Sequence, residues 1–282
     1  MNNSLQNTTQ NISLYNYAMS PYGAKVHSLL QFKKLPFKVF YINPFRVKPD
    51  LPVGHQIPVV TVNGESKADS TPIGLWLDEL FPDHPRLLPD DQTEKEKLLD
   101  IDNWVSHRLI PNVFRSYPGE GMNLWINGWK LGHVMNQTCH GGLPSGLRYF
   151  WPLVISNVKF VKHMQQMADT HLPVQDAKEV IYQEFIERLD GGPFLGGRAT
   201  PSFPDIAAYP QFLLFYKIGF RGADDILKHS DIVTWLNRVR PYVEESLPPL
   251  LPSVVVNNPF PTLEKKAPFN SSFFPEITQQ FI

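Results

Sequence analysis

The sequence predicts two domains of different class, an α/β domain at the amino terminus and an all-helical one behind it. Three observations predict this. Strand and helix periodicities alternate from Ser13 to Pro89, an Asn63-Gly64 pair separates two short strand runs, and the pattern beyond residue 100 is helical almost throughout.

The elements follow in order. Ser13 to Tyr17 reads as a strand, Val26, Leu29 and Leu30 then recur at helical spacing, and Val39 to Ile42 is a β-branched and aromatic run, which together make a βαβ unit. In QIPVVTVNGESKADS, VVTV and SKA flank Asn63-Gly64, a pair that accepts positive φ at both turn positions and so predicts a hairpin. Ile73, Trp76, Leu77 and Leu80 step along a closing helix that stops at Phe81-Pro82. The order βαβ then ββα is that of a thioredoxin-like domain, assigned to residues 12–89 behind a polar extension, 1–11. The charged stretch 90–100 reads as a linker, and 101–247 as a helical bundle. Within the bundle, a Gly-rich loop LDGGPFLGGRAT precedes Ser202 and Asp205, which stand three apart as an N-cap and its return partner do. Ile232, Trp235, Leu236 and Val239 share one face of a helix ending before Pro241. From Pro248 to the end, seven prolines interleaved with phenylalanines forbid long helices and predict an extended strap laid over the body, with disorder as the alternative.

Composition narrows the function. With 26 basic against 27 acidic residues, the net charge of −1 gives no electrostatic reason to expect nucleic acid or an anionic membrane as partner, so a small molecule is expected. The single cysteine, Cys139, rules out an intramolecular disulfide and suits a reducing compartment, the cytoplasm by default. The first eleven residues lack the basic and apolar regions of a signal peptide. The apolar run Tyr149 to Val158 is too short to span a bilayer.

The segment AMSPYGAKV poses the functional question. Ser20 followed by Pro21 is a preferred N-cap and N1 pair, but a hydroxyl at a helix start also suits an anionic ligand atom. Tyr17 and Tyr22 bracket it as alternative donors or as packing residues. Asp69 and Ser70 precede a helix start, where Ser70 or Thr71 can cap a helix whose first turn holds Pro72. His133, Cys139 and His140 lie in a Gly-rich insertion without metal-ligand spacing, and no metal is expected. Ser202 and Asp205 are assigned to capping. Trp125, Trp129, Tyr149 and Trp151 are candidates for an apolar wall, a core or a dimer surface.

Taken together, SPYG after the first strand, Ile57-Pro58 before VVTV, Asp69-Ser70 before a helix and FLGG before a capped helix resemble the glutathione transferase superfamily. LYNYAMSPYG and DNWVSHRLIPNVFRSY are similar to segments of its prostaglandin E synthase type 2 branch, in which the first carries Cys-Pro-Phe-Cys. The resemblance implies the glutathione transferase fold and a homodimer. It implies a cis peptide at Pro58 that turns the Ile57 backbone toward the cysteinyl part of glutathione, and a γ-glutamyl grip by Asp69 and Ser70. Glutathione is thus the expected co-substrate, and Ser20 or Tyr17 the expected donor to its thiolate. His107 matches a histidine of that branch lying near bound heme, so it joins Tyr22 as a candidate for the ligand pocket, with heme as a further ligand. The departure is chemical. Ser20 and Gly23 stand where the branch has cysteines, and a hydroxyl takes no part in disulfide exchange. The sequence therefore points first to a transferase that activates glutathione against an apolar electrophile. A non-enzymatic binder of an apolar ligand or heme comes second, and an endoperoxide isomerase third.

Overall fold

The computed structural model describes residues 11–43, 45, 50–116, 121–155, 159–243 and 258–262. Most of the proline-rich strap and the polar extension lie outside these residues.

Strand β1, Ile12–Asn16, is followed by helix α1, Pro21–Phe32, and strand β2, Lys38–Tyr41; β3, Val59–Val62, and β4, Glu65–Ala68, form the hairpin; helix α2, Ser70–Leu80, closes the domain. The sheet has the order β2-β1-β3-β4, with β1 parallel to β2 and antiparallel to β3. Asn63 at φ 50° and Gly64 at φ 94° make the tight turn that their side chains permit. Alternation along β1 puts Ile12 and Leu14 on the face packed with Val60, Val26, Leu30, Ile73 and Leu77. That apolar layer fixes α1 and α2 against one side of the sheet, and so fixes where the two helices begin.

The stretch read as a linker is helical from its third residue. Asp91 accepts a hydrogen bond from the Glu94 amide at 2.9 Å and caps helix α3, Gln92–Trp104. The connector is instead the run from Phe81 to Asp91. It is held by Asp78, whose carboxylate accepts from the amides of Leu87 and Leu88 and pairs with buried Lys33 at 2.7 Å. A π-helical turn, Val105–Leu109, leads into α4, Ile110–Ser116.

Then come α5, Met122–Thr138, α6, Trp151–Ile155, α7, Lys159–Met167, and α8, Val174–Arg188. Gly128 and Gly132 let α5 close on Pro152 and on the Arg148–Trp151 segment, where an added Cβ would lie within 3.0 Å of its neighbours. Cys139, at the end of α5, is buried in the core. Helix α9, Phe203–Lys217, is buried along its whole length, and α10, Ser230–Val239, packs Trp235 against Phe185, Phe212 and Tyr209.

The two domains meet along α9. Gly74 of α2 lies so close to Phe203 that an added Cβ would fall 2.5 Å from its ring. Gln211 of α9 donates to the Pro21 carbonyl at 3.1 Å, which ties α9 to the first residue of α1. Near the end of the described chain, Asn258 bonds back to Lys217 and Tyr216, and Phe260 is buried under Arg240.

Candidate functional site

The strand register gathers the candidate residues at one end of the sheet. Tyr15 of β1 pairs with Val59 of β3, and Val59 pairs with Ala68 of β4. The end of β1, the start of β3 and the end of β4 are therefore neighbours. Ser20 follows the first, Ile57-Pro58 precedes the second, and Asp69-Ser70 follow the third. The amino ends of α1 and α2 both open there, so amide donors and the positive ends of two helix dipoles converge on one place.

Ser20 caps α1, its Oγ accepting from the Gly23 amide at 3.1 Å. Accepting uses a lone pair and leaves the hydroxyl proton to be donated elsewhere. Capping and donation to a ligand are thus compatible. The Ile57-Pro58 peptide is cis, as the resemblance implied. Asp69 stands at φ 73°, ψ 134°, a strained backbone for a residue with a side chain, with its amide bonded to the Pro58 carbonyl at 3.3 Å. Its exposed carboxylate makes no capping bond to α2, while Ser70 is buried. Asp69 is therefore spared for another partner, which capping alone does not explain.

The tyrosines divide. Tyr22 donates to the Ser106 carbonyl at 2.8 Å, and its hydroxyl is committed to bridging the domains. Burial, helped by the charge of Asp69, pushes its phenol up to about 12. Tyr17 is half-buried beside the core, and burial likewise pushes its phenol up to about 12, so it stays a neutral donor through the physiological range. His107 is exposed on the π turn with Nδ1 3.1 Å from the Asn103 carbonyl. The residue of that turn facing α1 is its neighbour, Ser106.

Among solved structures, the fold is that of the β-etherase LigF from Sphingobium sp. strain SYK-6, with a TM-score of 0.56, 18% identity, and 84% of this chain and 98% of that one covered. Rice GST1 in complex with glutathione gives a TM-score of 0.51 at 18% identity, over 85% of this chain and 91% of that one. Residues 14–85 match the family model described as the glutathione S-transferase N-terminal domain. Prostaglandin E synthase 2 of Mus musculus is 24% identical over 312 residues, spanning 92% of this chain and 74% of its own length. Residues 14–85 are thus similar to the amino-terminal domain of glutathione S-transferases, and the chain has the glutathione transferase fold.

Set against the Cys-Pro-Phe-Cys pattern that the sequence resembles, the departure at residues 20 and 23 has a structural counterpart. Asn16, at the end of β1, is buried, and its Oδ1 finds no hydrogen-bond partner among the described residues. A Cβ placed on Gly23 would fall 1.6 Å from that oxygen. The space that a second side chain of a Cys-x-x-Cys pair would enter is filled by the Asn16 amide.

The structure also brings in residues that sequence reasoning missed. Lys25 is fully buried, and its Nζ lies 2.7 Å from Asp102 Oδ1 and donates to Thr71 Oγ1 at 2.8 Å and Ser106 Oγ at 3.0 Å. Thr71 donates in turn to Asp102 at 2.8 Å. Burial pushes the Lys25 ammonium down from its usual value, and Asp102 opposes this. A lysine falling among apolar helix positions was the available signal. In the insertion, Trp151 is buried, Trp125 and Tyr149 are exposed, and Trp129 meets His133 edge to face with centroids 4.4 Å apart. Among the described residues, no group of three metal-binding side chains occurs, and no helix is long and apolar enough to cross a membrane.

Proposed function

We propose that this protein binds glutathione at the sheet end shared by Ser20, Ile57-Pro58 and Asp69-Ser70, and joins the whole tripeptide through its sulfur to an apolar electrophile held by the helical domain, the thiol proton passing to water as the electrophile's leaving group departs or its π bond opens. The observation that carries this is the convergence of two helix amino termini with an uncommitted, strained Asp69 beside them. Ile57 offers backbone groups to pair with the cysteinyl unit as an added strand would. Asp69 is the counter-ion for the γ-glutamyl amine, and the Ser70 hydroxyl with the first amides of α2 receives the carboxylate.

Activation is a matter of magnitude. An ordinary thiol titrates near about 8.5, and lowering it by roughly two units requires about 2.7 kcal/mol of preference for the thiolate. A hydroxyl donor to the anion contributes about 1.5 to 3 kcal/mol, and a helix amino terminus about 0.3 to 1 more. Ser20, sitting at the start of α1, can supply both. The hydroxyl of Tyr17 is the alternative donor. Serine chemistry separates this reading from a thiol-dependent isomerase, because Ser20 and Gly23 stand where that chemistry needs cysteines.

The test is calorimetric titration of glutathione combined with the ultraviolet absorbance of its thiolate against pH. The expected result is binding with the thiol pKa well below that of the unbound tripeptide. In Asp69→Ala, affinity falls by about 10- to 150-fold, the loss of one charge-assisted hydrogen bond. No binding by the wild type would overturn the reading and turn the search to apolar ligands, heme among them. A homodimer in the cytoplasm belongs to the same reading, and light scattering of the purified chain tests the dimer.

A further inference from the structure

The buried junction around Lys25 joins the segments that carry the two ends of the candidate glutathione site. Lys25 stands on α1, five residues after Ser20, and Thr71 stands on α2, two residues after Asp69. Asp102 comes from α3 and Ser106 from the π turn, so the helical domain holds both starts. The ammonium also sits 5.0 Å from the centroid of the Phe203 ring, at the head of α9.

A buried ion pair is a poor device for adhesion alone, since apolar residues of similar volume hold helices together as well or better. Its distinct contribution is direction. The Thr71 hydroxyl is engaged on both sides, accepting from Lys25 at 2.8 Å and donating to Asp102 at 2.8 Å. This pins the first turn of α2 immediately after the strained φ of Asp69, where a small rotation of the chain would swing the carboxylate. Tyr22, bonded to the Ser106 carbonyl, pins the first turn of α1 to the same π turn.

We infer that Lys25, Thr71 and Asp102 are positioning residues of the glutathione site. They set the span between the thiol end at Ser20 and the γ-glutamyl end at Asp69, and they fix that span to the helical domain. They act through Asp69, not by touching the tripeptide. The inference rests on the glutathione reading above.

The test is titration of the full-length protein with glutathione in a cycle of Thr71→Val, Asp69→Ala and the double variant, with Thr71→Ser as rescue. Thr71→Val keeps the shape and removes the hydroxyl, leaving the ion pair in place. The expected result is an affinity about ten-fold weaker, restored by Thr71→Ser, with the pKa of the bound thiol unchanged because the Ser20 end is untouched. In the Asp69→Ala background, Thr71→Val brings no further loss. The joint replacement of Lys25→Met with Asp102→Leu, which leaves no buried charge alone, gives the same affinity loss in a protein that still melts cooperatively. Three results would overturn the inference: wild-type affinity in Thr71→Val, a loss that adds fully to that of Asp69→Ala, or a thiol pKa that moves in parallel with affinity. Failure of the wild type to bind glutathione is a different outcome, which overturns the glutathione reading itself and this inference with it.

Discussion

Ser20 shows how one small group can serve structure and chemistry without conflict, because the cap draws on its lone pair and a ligand would draw on its proton. Ser20→Ala removes both, with separable effects. Melting should report a loss of about 1 kcal/mol from the cap. The bound thiol should titrate about one to two units higher, from the lost hydroxyl donor. An unchanged thiol pKa would transfer the donor role to Tyr17. His27 offers a prediction of another kind. Burial lowers its imidazole from 6.5 to about 4, with its ring edge-on to Phe37 at 5.0 Å. The unfolded chain therefore binds a proton first as pH falls, so this contribution is complete above about pH 6.5 and is lost progressively toward pH 4. The span corresponds to an order of 3 kcal/mol. Denaturant titrations of His27→Gln at pH 7 and pH 4.5 should show a flatter acid limb than the wild type. Ser20 and Asp69 were legible at this scale because each precedes a helix start. Asn16 was not, since only the folded chain shows it occupying the space above Gly23.

Elements were legible where local chemistry dictates them. Asn63-Gly64 makes its turn, and Ser202 with Asp205 forms its box at the head of α9. The charged stretch 90–100 is instead the first part of α3, because its residues are good helix formers and Asp91 begins the helix earlier than polarity suggests. Asp205 exceeds the role expected of it. Its carboxylate accepts from the amides of Leu195 and Ser202 and from the indole of Trp235, at 2.9, 3.0 and 2.8 Å. It thereby joins the Gly-rich loop, α9 and α10. Asp205→Ala leaves those donors buried without partners and should lower stability by about 3 kcal/mol or more in denaturant unfolding. Glutathione affinity of the protein that remains folded should not change, because none of these partners belongs to the site.

At the scale of the whole molecule, the domain interface was the least legible part. Lys25 and Asp102 are 77 positions apart, as are many pairs that a single sequence does not single out. Lys25 stands out among apolar helix positions, but nothing local names its partner. Gly74 was equally silent, yet it admits the ring of Phe203 where any side chain would intrude. Gly74→Leu should push α2 from α9, lowering the melting temperature and splitting one unfolding transition into two in calorimetry; a single unshifted transition would show that the interface accommodates it. One last property belongs to the chain as a whole. Its sole cysteine, Cys139, is 5% exposed, and burial pushes its thiol above the ordinary value. The native protein therefore offers alkylating agents almost nothing to react with, whereas the opened chain offers one thiol in a known place. The rate at which maleimide labels the protein becomes a built-in clock for opening of the helical domain, readable in crude mixtures and needing no engineered probe.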